Sequence, residues 1–288
     1  MKSCFVKITS LCLIFLLLFG CQKSDETQNS APISSVAEFS SIVTSSAPEP
    51  LPIDSVTMYK NKTLLEYYSA NQDTIGWLNI PDIKTDNIVM LGNKEGEYPD
   101  FTGDVRHYYM DHNSSYKSTS YGELYADYRC KISSDYICQN TTIYGHHMKD
   151  GTMLAGLDKY KSKSFFDTHQ YIRFDTLWRK GLWRVFGVFV VDLKNPTDAS
   201  FNYRNPEYAT EKDFLNFVST IRSRSLYQTG VDVKGTDRML TLSTCTYPTG
   251  RPGIDNARLV VVARLATTDE VNAYYSKTAS NVSITTLR

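Results

Sequence analysis

The stretch Thr241-Leu-Ser-Thr-Cys-Thr-Tyr-Pro-Thr-Gly-Arg-Pro-Gly-Ile-Asp-Asn-Ala-Arg258, followed at once by the apolar run Leu259 to Leu265, reads as strand, loop, strand. Met239 to Thr244 alternates as a half-buried strand does. The cluster of Pro248, Gly250, Pro252 and Gly253 must be loop, and Leu259-Val-Val-Val-Ala263 is β-branched enough to form a buried strand. Cys245 therefore falls where a rigid strand gives way to a loop, held firmly yet reachable, which suits a nucleophile. Arg258 opens the returning strand. If the two strands are neighbours, its guanidinium comes near the sulfur, where it favours thiolate over thiol or stabilises negative charge on an attacked carbonyl oxygen. On position alone, a small buried hydrophobe explains the cysteine better.

A second stretch changes that balance. Asn140-Thr-Thr-Ile-Tyr-Gly-His-His-Met-Lys-Asp-Gly151 lies about a hundred residues earlier and contains a short apolar strand ending in Gly145-His146. A strand-end histidine is a candidate base. Thiol and imidazole far apart in sequence, each at the C-terminal end of a strand, form the arrangement a thiol enzyme needs, because the fold brings them together.

These residues carry a family resemblance. Thr241-Leu-Ser-Thr-Cys245 with Arg258 downstream, and Ile143-Tyr-Gly-His146-His-Met148 upstream, resemble the signature of sortases, and more narrowly of class B. The resemblance runs from about Gly76-Trp-Leu-Asn-Ile-Pro81 to Leu265. It implies a β-barrel cysteine transpeptidase that cuts a sorting signal on secreted proteins and joins them to cell-wall peptidoglycan. Its partners would be sorting-signal peptides and a peptidoglycan precursor amine. Relatives of class B favour Asn-Pro-x-Thr-Asn or related Pro-x-Thr-Gly pentapeptides, and this sequence does not say which applies. Tyr144 and Ser243 stand in the matching motifs, so the resemblance places them along the substrate groove. Asp111 stands where the family often has asparagine and receives no role. Arg251 is a second cation in the loop, and Arg258 is preferred because the Leu-Val-Val after it matches the family's strand.

At the N-terminus, Lys2 and Lys7 precede the apolar stretch Leu11 to Phe19, the pattern of an export signal over residues 1–20. The apolar core is shorter than the ~20 residues a spanning helix wants. It ends in Leu18-Phe-Gly-Cys21, which resembles a bacterial lipobox, so that Cys21 would be the lipidated first residue of the mature protein. Sortases of this class more usually keep an uncleaved membrane helix. Either arrangement joins the protein to the membrane through its N-terminus and places it on the outer face, whereas an ordinary cleaved signal would release it. Residues 21–56 are rich in Ser, Thr, Pro and Glu, cannot bury enough surface to fold, and read as a flexible tether. The remainder, 57–288, is long enough for one well-packed catalytic domain.

The 31 basic and 31 acidic side chains balance, so no nucleic-acid partner is indicated. Of the six cysteines, Cys4 and Cys12 lie in the signal, Cys21 at the lipobox and Cys245 at the candidate site. Cys130 and Cys138 remain, as a disulfide or as two free thiols. Neighbouring strand histidines point to opposite faces, so His146, His147 and Asp150 do not suggest a metal cluster, and His147 reads as a surface or supporting residue. No cofactor is expected.

A coarse pass gives a helix over Val56–Tyr68, strands at Thr74–Ile80 and Asn87–Leu91, and a helical turn over Arg106–His112. Further strands fall at Gly122–Asp127 and Thr141–Tyr144, then a short helix over Gly151–Tyr160, and strands at Tyr171–Phe174 and Trp183–Val191. Tyr208 to Arg222 changes to helical spacing, with Phe214, Phe217, Val218 and Ile221 on one face. The fold class is therefore mainly β with added helices: a closed barrel of about eight strands with an N-terminal helix and a helix inserted before the Cys-bearing strand.

Residue chemistry supports the same end. A Cys245 thiolate can attack an amide carbonyl, Arg258 can stabilise the oxyanion, and His146 can protonate the departing amine. Either His146 deprotonates Cys245 first, or a minority thiolate–imidazolium pair is the active form. Two other classes answer to the same residues: a cysteine peptidase or cell-wall hydrolase, and a non-enzymatic surface lipoprotein with an unreactive Cys245.

Overall fold

The structure is a computed structural model that describes residues 57–92, 108–247 and 256–285, with side chains described to residue 278. The export signal, the tether, Cys21, and the loop from Pro248 through Arg251 to Gly253 lie outside the described residues. In chain order the elements are α1 (Leu64–Ala70), β1 (Thr74–Asn79), β2 (Asp86–Leu91), α2 (Tyr108–Asp111), β3 (Leu124–Ala126) and β4 (Asn140–Tyr144). A 3₁₀ turn (Ala155–Lys161) and α3 (Lys163–Thr168) lead to β5 (Tyr171–Thr176) and β6 (Leu182–Asp192). Then come α4 (Pro196–Ala199), α5 (Glu211–Arg224), β7 (Met239–Thr246), β8 (Ala257–Leu265) and α6 (Thr268–Thr285).

The eight strands close into a barrel in the order β1-β2-β3-β4-β7-β8-β6-β5, as the alternating sequence pattern predicts. Most neighbours are antiparallel, but β2–β3 and β4–β7 run parallel. A parallel pair needs a long crossover, and between β4 and β7 the chain supplies one from the 3₁₀ turn, β5, β6 and α5.

Period-two alternation decides which side chains face inward. Leu240 and Leu242 of β7 and Leu259, Val261 and Ala263 of β8 fill the barrel. Met239, Val260 and Val262 face outward into a second apolar layer covered by Phe214, Val218 and Ile221 of α5. Each of those α5 side chains contributes about 1.5–3 kcal/mol by leaving water. The helix is started by Thr210, whose hydroxyl accepts from the Asp213 amide at 3.1 Å. It lies between β6 and β7, where a helix before the Cys-bearing strand is expected.

The sequence reading has no counterpart of α3 or α4 and starts α5 at Tyr208 where the helix begins at Glu211, and three further differences follow. The first is α1, which begins at Leu64 instead of Val56 because Thr63 and Glu66 form a capping box: the Glu66 amide donates to Thr63 Oγ1 and the Thr63 amide to Glu66 Oε2. The second is the short helix expected from Gly151, which starts at Ala155 as 3₁₀ because Gly151 takes a positive φ of 82°. The third is α6, an additional helix after the last strand. Cys130 and Cys138 are both buried free thiols, each against the Asn140 carbonyl, at 3.7 and 3.4 Å. The hydrogen bond between them pushes the Cys130 thiol up and holds Cys138 below its ordinary range. No helix among the described residues is long and apolar enough to cross a membrane.

Candidate active site

Strand register assembles the site. In the parallel β4–β7 pair Tyr144 stands opposite Ser243. His146 and Cys245 each follow two residues later, so both leave the sheet at the same end. Thr244 Oγ1 donates to the Gly145 carbonyl at 2.8 Å and ties those ends together. On its other edge β7 is antiparallel to β8, with Cys245 directly opposite Arg258. Directly opposed strand residues have Cβ atoms about 4.5–5.5 Å apart. Because Leu240 and Leu242 point into the barrel, Ser243 and Cys245 belong to its outer face, and the thiol is half-buried. The register thus sets Cys245 across from Arg258 and ends β4, just before His146, at the same end of the sheet.

The half-buried His146 is oriented by a group the sequence does not advertise. Its Nε2 lies 2.8 Å from the carbonyl oxygen of Met110. A carbonyl only accepts, so Nε2 carries the hydrogen and Nδ1 is left to exchange a proton with the reacting groups. The short helix α2 delivers that carbonyl because Tyr109 is fully buried, with its hydroxyl donating to Asp73 at 2.7 Å and accepting from Asn71 at 3.1 Å. Asp111 Oδ1 lies 2.6 Å from His112 Nδ1. Gly145 is required by space: a Cβ there would come 2.3 Å from Leu124 and 2.9 Å from Leu154, both fully buried.

Arg258 is half-buried and fixed at the start of β8. Its Nη1 donates to Asn256 Oδ1 and to the Ala257 carbonyl, both at 3.1 Å. Arg251 lies outside the described residues.

Tyr144 and Ser243 stand opposite each other in β4 and β7, two residues before His146 and Cys245. The Tyr144 hydroxyl donates to Asp127 Oδ2 at 2.7 Å, and Arg129 grips the same carboxylate with two bonds, at 2.8 and 2.7 Å. Burial pushes the Tyr144 phenol well above its ordinary range and the Asp127 charge adds to this, so it stays neutral. Burial alone would raise Asp127, but the hydrogen bonds from Arg129 and Tyr144 outweigh it and hold the carboxylate below its usual range. Ser243 is only 2% exposed and shares a 3.0 Å hydrogen bond with the Tyr203 hydroxyl. It supports that ring from beneath the surface. His147 Nε2 lies 3.1 Å from Asp158 Oδ2. Among the described residues no group of three His, Cys, Asp or Glu is arranged to hold a metal ion.

Asp127, Arg129, Tyr203 and the Met110 carbonyl escape the sequence reading. Asp127 ends a strand already recognised there, a weak signal. Tyr203 lies in an irregular segment and carries none.

The comparisons with known proteins agree with this geometry. The Sortase domain profile matches residues 136–266, which include His146, Cys245 and Arg258. The sortase B of Listeria monocytogenes serovar 1/2a is 30% identical over 204 residues, 71% of this chain and 74% of its own length. The Staphylococcus aureus sortase B–substrate complex has a TM-score of 0.59 and 25% identity, covering 71% of this chain and 85% of that one. A sortase B structure complexed with triglycine gives 0.58 and 25%, again over 71% and 85%. A barrel of matching topology, a thiol and an imidazole leaving parallel strands at one end, and a relative of this identity over most of both chains agree: the chain belongs to the sortase family and is a cysteine transpeptidase of class B.

Proposed function

We propose that Cys245 is the nucleophile, His146 the proton-transfer group and Arg258 the oxyanion donor of a reaction that cleaves a Thr-containing C-terminal sorting signal and joins the secreted protein to cell-wall peptidoglycan. The observation that carries this reading is the register placing Cys245 across from Arg258 and beside the strand end that bears His146. Cys245 Sγ, as thiolate, adds to the scissile carbonyl, and the oxygen takes up the negative charge beside the Arg258 guanidinium. As the intermediate collapses, the C–N bond breaks and His146 Nδ1–H gives its proton to the leaving amine, leaving a thioester. An incoming amine gives its proton to His146 Nδ1 as it attacks, the C–S bond breaks, and the thiolate and protonated His146 are restored for the next cycle. Tyr144, held by Asp127 and Arg129, forms the groove wall.

Among the sortase B structures similar to this chain, one is a substrate complex and one a triglycine complex, which supports a peptide donor and a glycine-type amine acceptor here. Neither the hydrolase nor the non-enzymatic lipoprotein reading has a specific observation in its favour. Attachment to the outer face of the membrane, through a lipid on Cys21 or an uncleaved helix, completes the proposal and rests on the N-terminal sequence pattern.

The test is mass spectrometry of the protein with a panel of Asn-Pro-x-Thr-Asn and Pro-x-Thr-Gly peptides, with and without triglycine. We expect a thioacyl adduct on Cys245 and a triglycine-joined product. Cys245→Ala should abolish both while leaving the fold intact, because the substitution leaves a half-buried strand end with little packing to lose. Turnover above background in that variant would remove Cys245 from the mechanism.

A further inference from the structure

Behind the groove lies a carboxylate that the proposed chemistry does not use. Asp158 belongs to the 3₁₀ turn, and its two oxygens reach the two halves of the site. Oδ1 accepts from Thr246 Oγ1 at 2.9 Å and lies 2.8 Å from Lys161 Nζ, while Oδ2 lies 3.1 Å from His147 Nε2. Lys161 also donates to Thr246 Oγ1. Thr246 is the chain neighbour of Cys245, and His147 is the neighbour of His146. Successive strand side chains point to opposite faces, so Thr246 lies on the side away from Ser243 and Cys245, and Asp158 meets it there.

The turn that carries Asp158 is itself anchored. Leu157 and Tyr160 are fully buried, the Leu154 amide donates to the His146 carbonyl at 3.0 Å, and His147 pairs with Met153 in an isolated bridge. The turn is therefore joined by backbone to the His146 loop, and through the Asp158 side chain to the end of β7.

We propose that Asp158 is a positioning residue for the transfer reaction, a clasp that sets the spacing of His146 and Cys245 by holding the residue next to each. The proposal rests on reading those two as the catalytic pair. Burial alone would raise Asp158, but the hydrogen bonds from Lys161, Thr246 and His147 outweigh it and hold the carboxyl below its usual range. The clasp is charged at neutral pH.

The test uses the full-length protein and four variants: Asp158→Ala, Asp158→Asn, Thr246→Val and the Asp158→Ala/Thr246→Val double. Four quantities are read: kcat and KM with a sorting peptide, the rate of Cys245 alkylation by iodoacetamide at neutral pH, and Tm. Misplacement of reacting groups by about 1 Å costs roughly a hundredfold. Asp158→Ala should therefore lower kcat about tenfold to a hundredfold, with KM changed by no more than about twofold. Alkylation should slow with it. Asp158→Asn should retain more activity than Ala, because its amide oxygen still accepts from Thr246. The double variant should lose little more than Asp158→Ala, since both remove one link. Wild-type kcat in a folded Asp158→Ala, an effect on KM alone, or losses that multiply in the double variant would each overturn the clasp. Should Asp158→Ala fail to fold, Thr246→Val decides: a fall in kcat at wild-type Tm supports the clasp, and unchanged kcat overturns it. If the wild type turns over no peptide, the substrate reading fails separately, and an Asp158→Ala alkylation rate equal to wild type still refutes the clasp.

Discussion

A guanidinium stabilises an oxyanion only if it is already waiting where the charge develops. Arg258, the donor proposed here, is held in place: Asn256 and the Ala257 carbonyl fix its Nη1, and the register fixes its backbone across from Cys245. Arg258→Ala should lower kcat about a hundred- to a thousandfold. Arg258→Lys should also be costly, because a point charge cannot reproduce the planar fork. Arg251→Ala should act mainly on KM, since its neighbours Gly250 and Pro252 define a loop. Steady-state kinetics on the three purified variants checks this ranking, and a dead Arg251→Ala beside an active Arg258→Ala would reverse the assignment. Cys245, His146 and Arg258 were legible in the sequence because each is a residue type whose chemistry has few substitutes, set where a strand pattern stops. The Met110 carbonyl was not legible, because every residue has one and only the fold chooses which is used. The Asp127–Arg129 support for Tyr144 was hidden for a related reason, since acids and bases two residues apart are common and their partner lies on another strand.

Among the elements, α6 shows what a pattern reading misses. Its residues, Thr-Asp-Glu-Val-Asn-Ala-Tyr-Tyr and onward from Thr268, carry no sustained apolar stripe. The helix is held instead by ion pairs. Glu270 accepts from Arg264 Nη1 at 2.6 Å and Nη2 at 2.9 Å, pairs with Arg184 at 2.5 Å, and caps its own helix by accepting from the Thr267 amide at 2.8 Å. Burial alone would raise the Glu270 carboxyl, but these bonds outweigh it and lower its pKa to about 2. A carboxyl depressed on folding stabilises the native state above its unfolded pKa, and that contribution drains away as pH falls through the folded value. The docking of α6 should therefore weaken between about pH 4.3 and about 2. Amide hydrogen exchange across α6 should rise over that window in the wild type. In Glu270→Gln it should already be fast at neutral pH, and exchange indifferent to pH would refute the role given to Glu270. The strands, by contrast, were legible almost throughout, because one face of each packs into the barrel and alternation records that directly. The 3₁₀ turn and the start of α1 were displaced by local rules, a positive φ at Gly151 and a cap at Thr63, that override spacing by a few residues.

For the whole molecule, the proposed anchorage has its own test. If Cys21 carries the lipid, metabolic labelling with a fatty acid should mark the wild type and not Cys21→Ala, while a wild type without label would mean an uncleaved helix or an ordinary signal. The barrel's most consequential feature is the parallel pairing of β4 with β7. It allows two strand ends about a hundred residues apart in the chain to emerge side by side. It also sets an order of events. Contacts between residues about a hundred positions apart form late, because the loop they close must be ordered first. The thiol and the imidazole lie on opposite sides of that loop, and the guanidinium follows on the next strand, so no fragment of the chain that ends before β8 holds all three. On the proposed assignment a nascent or partly folded chain lacks the complete site, and cleavage of a peptide bond begins only when the last strands close the wall.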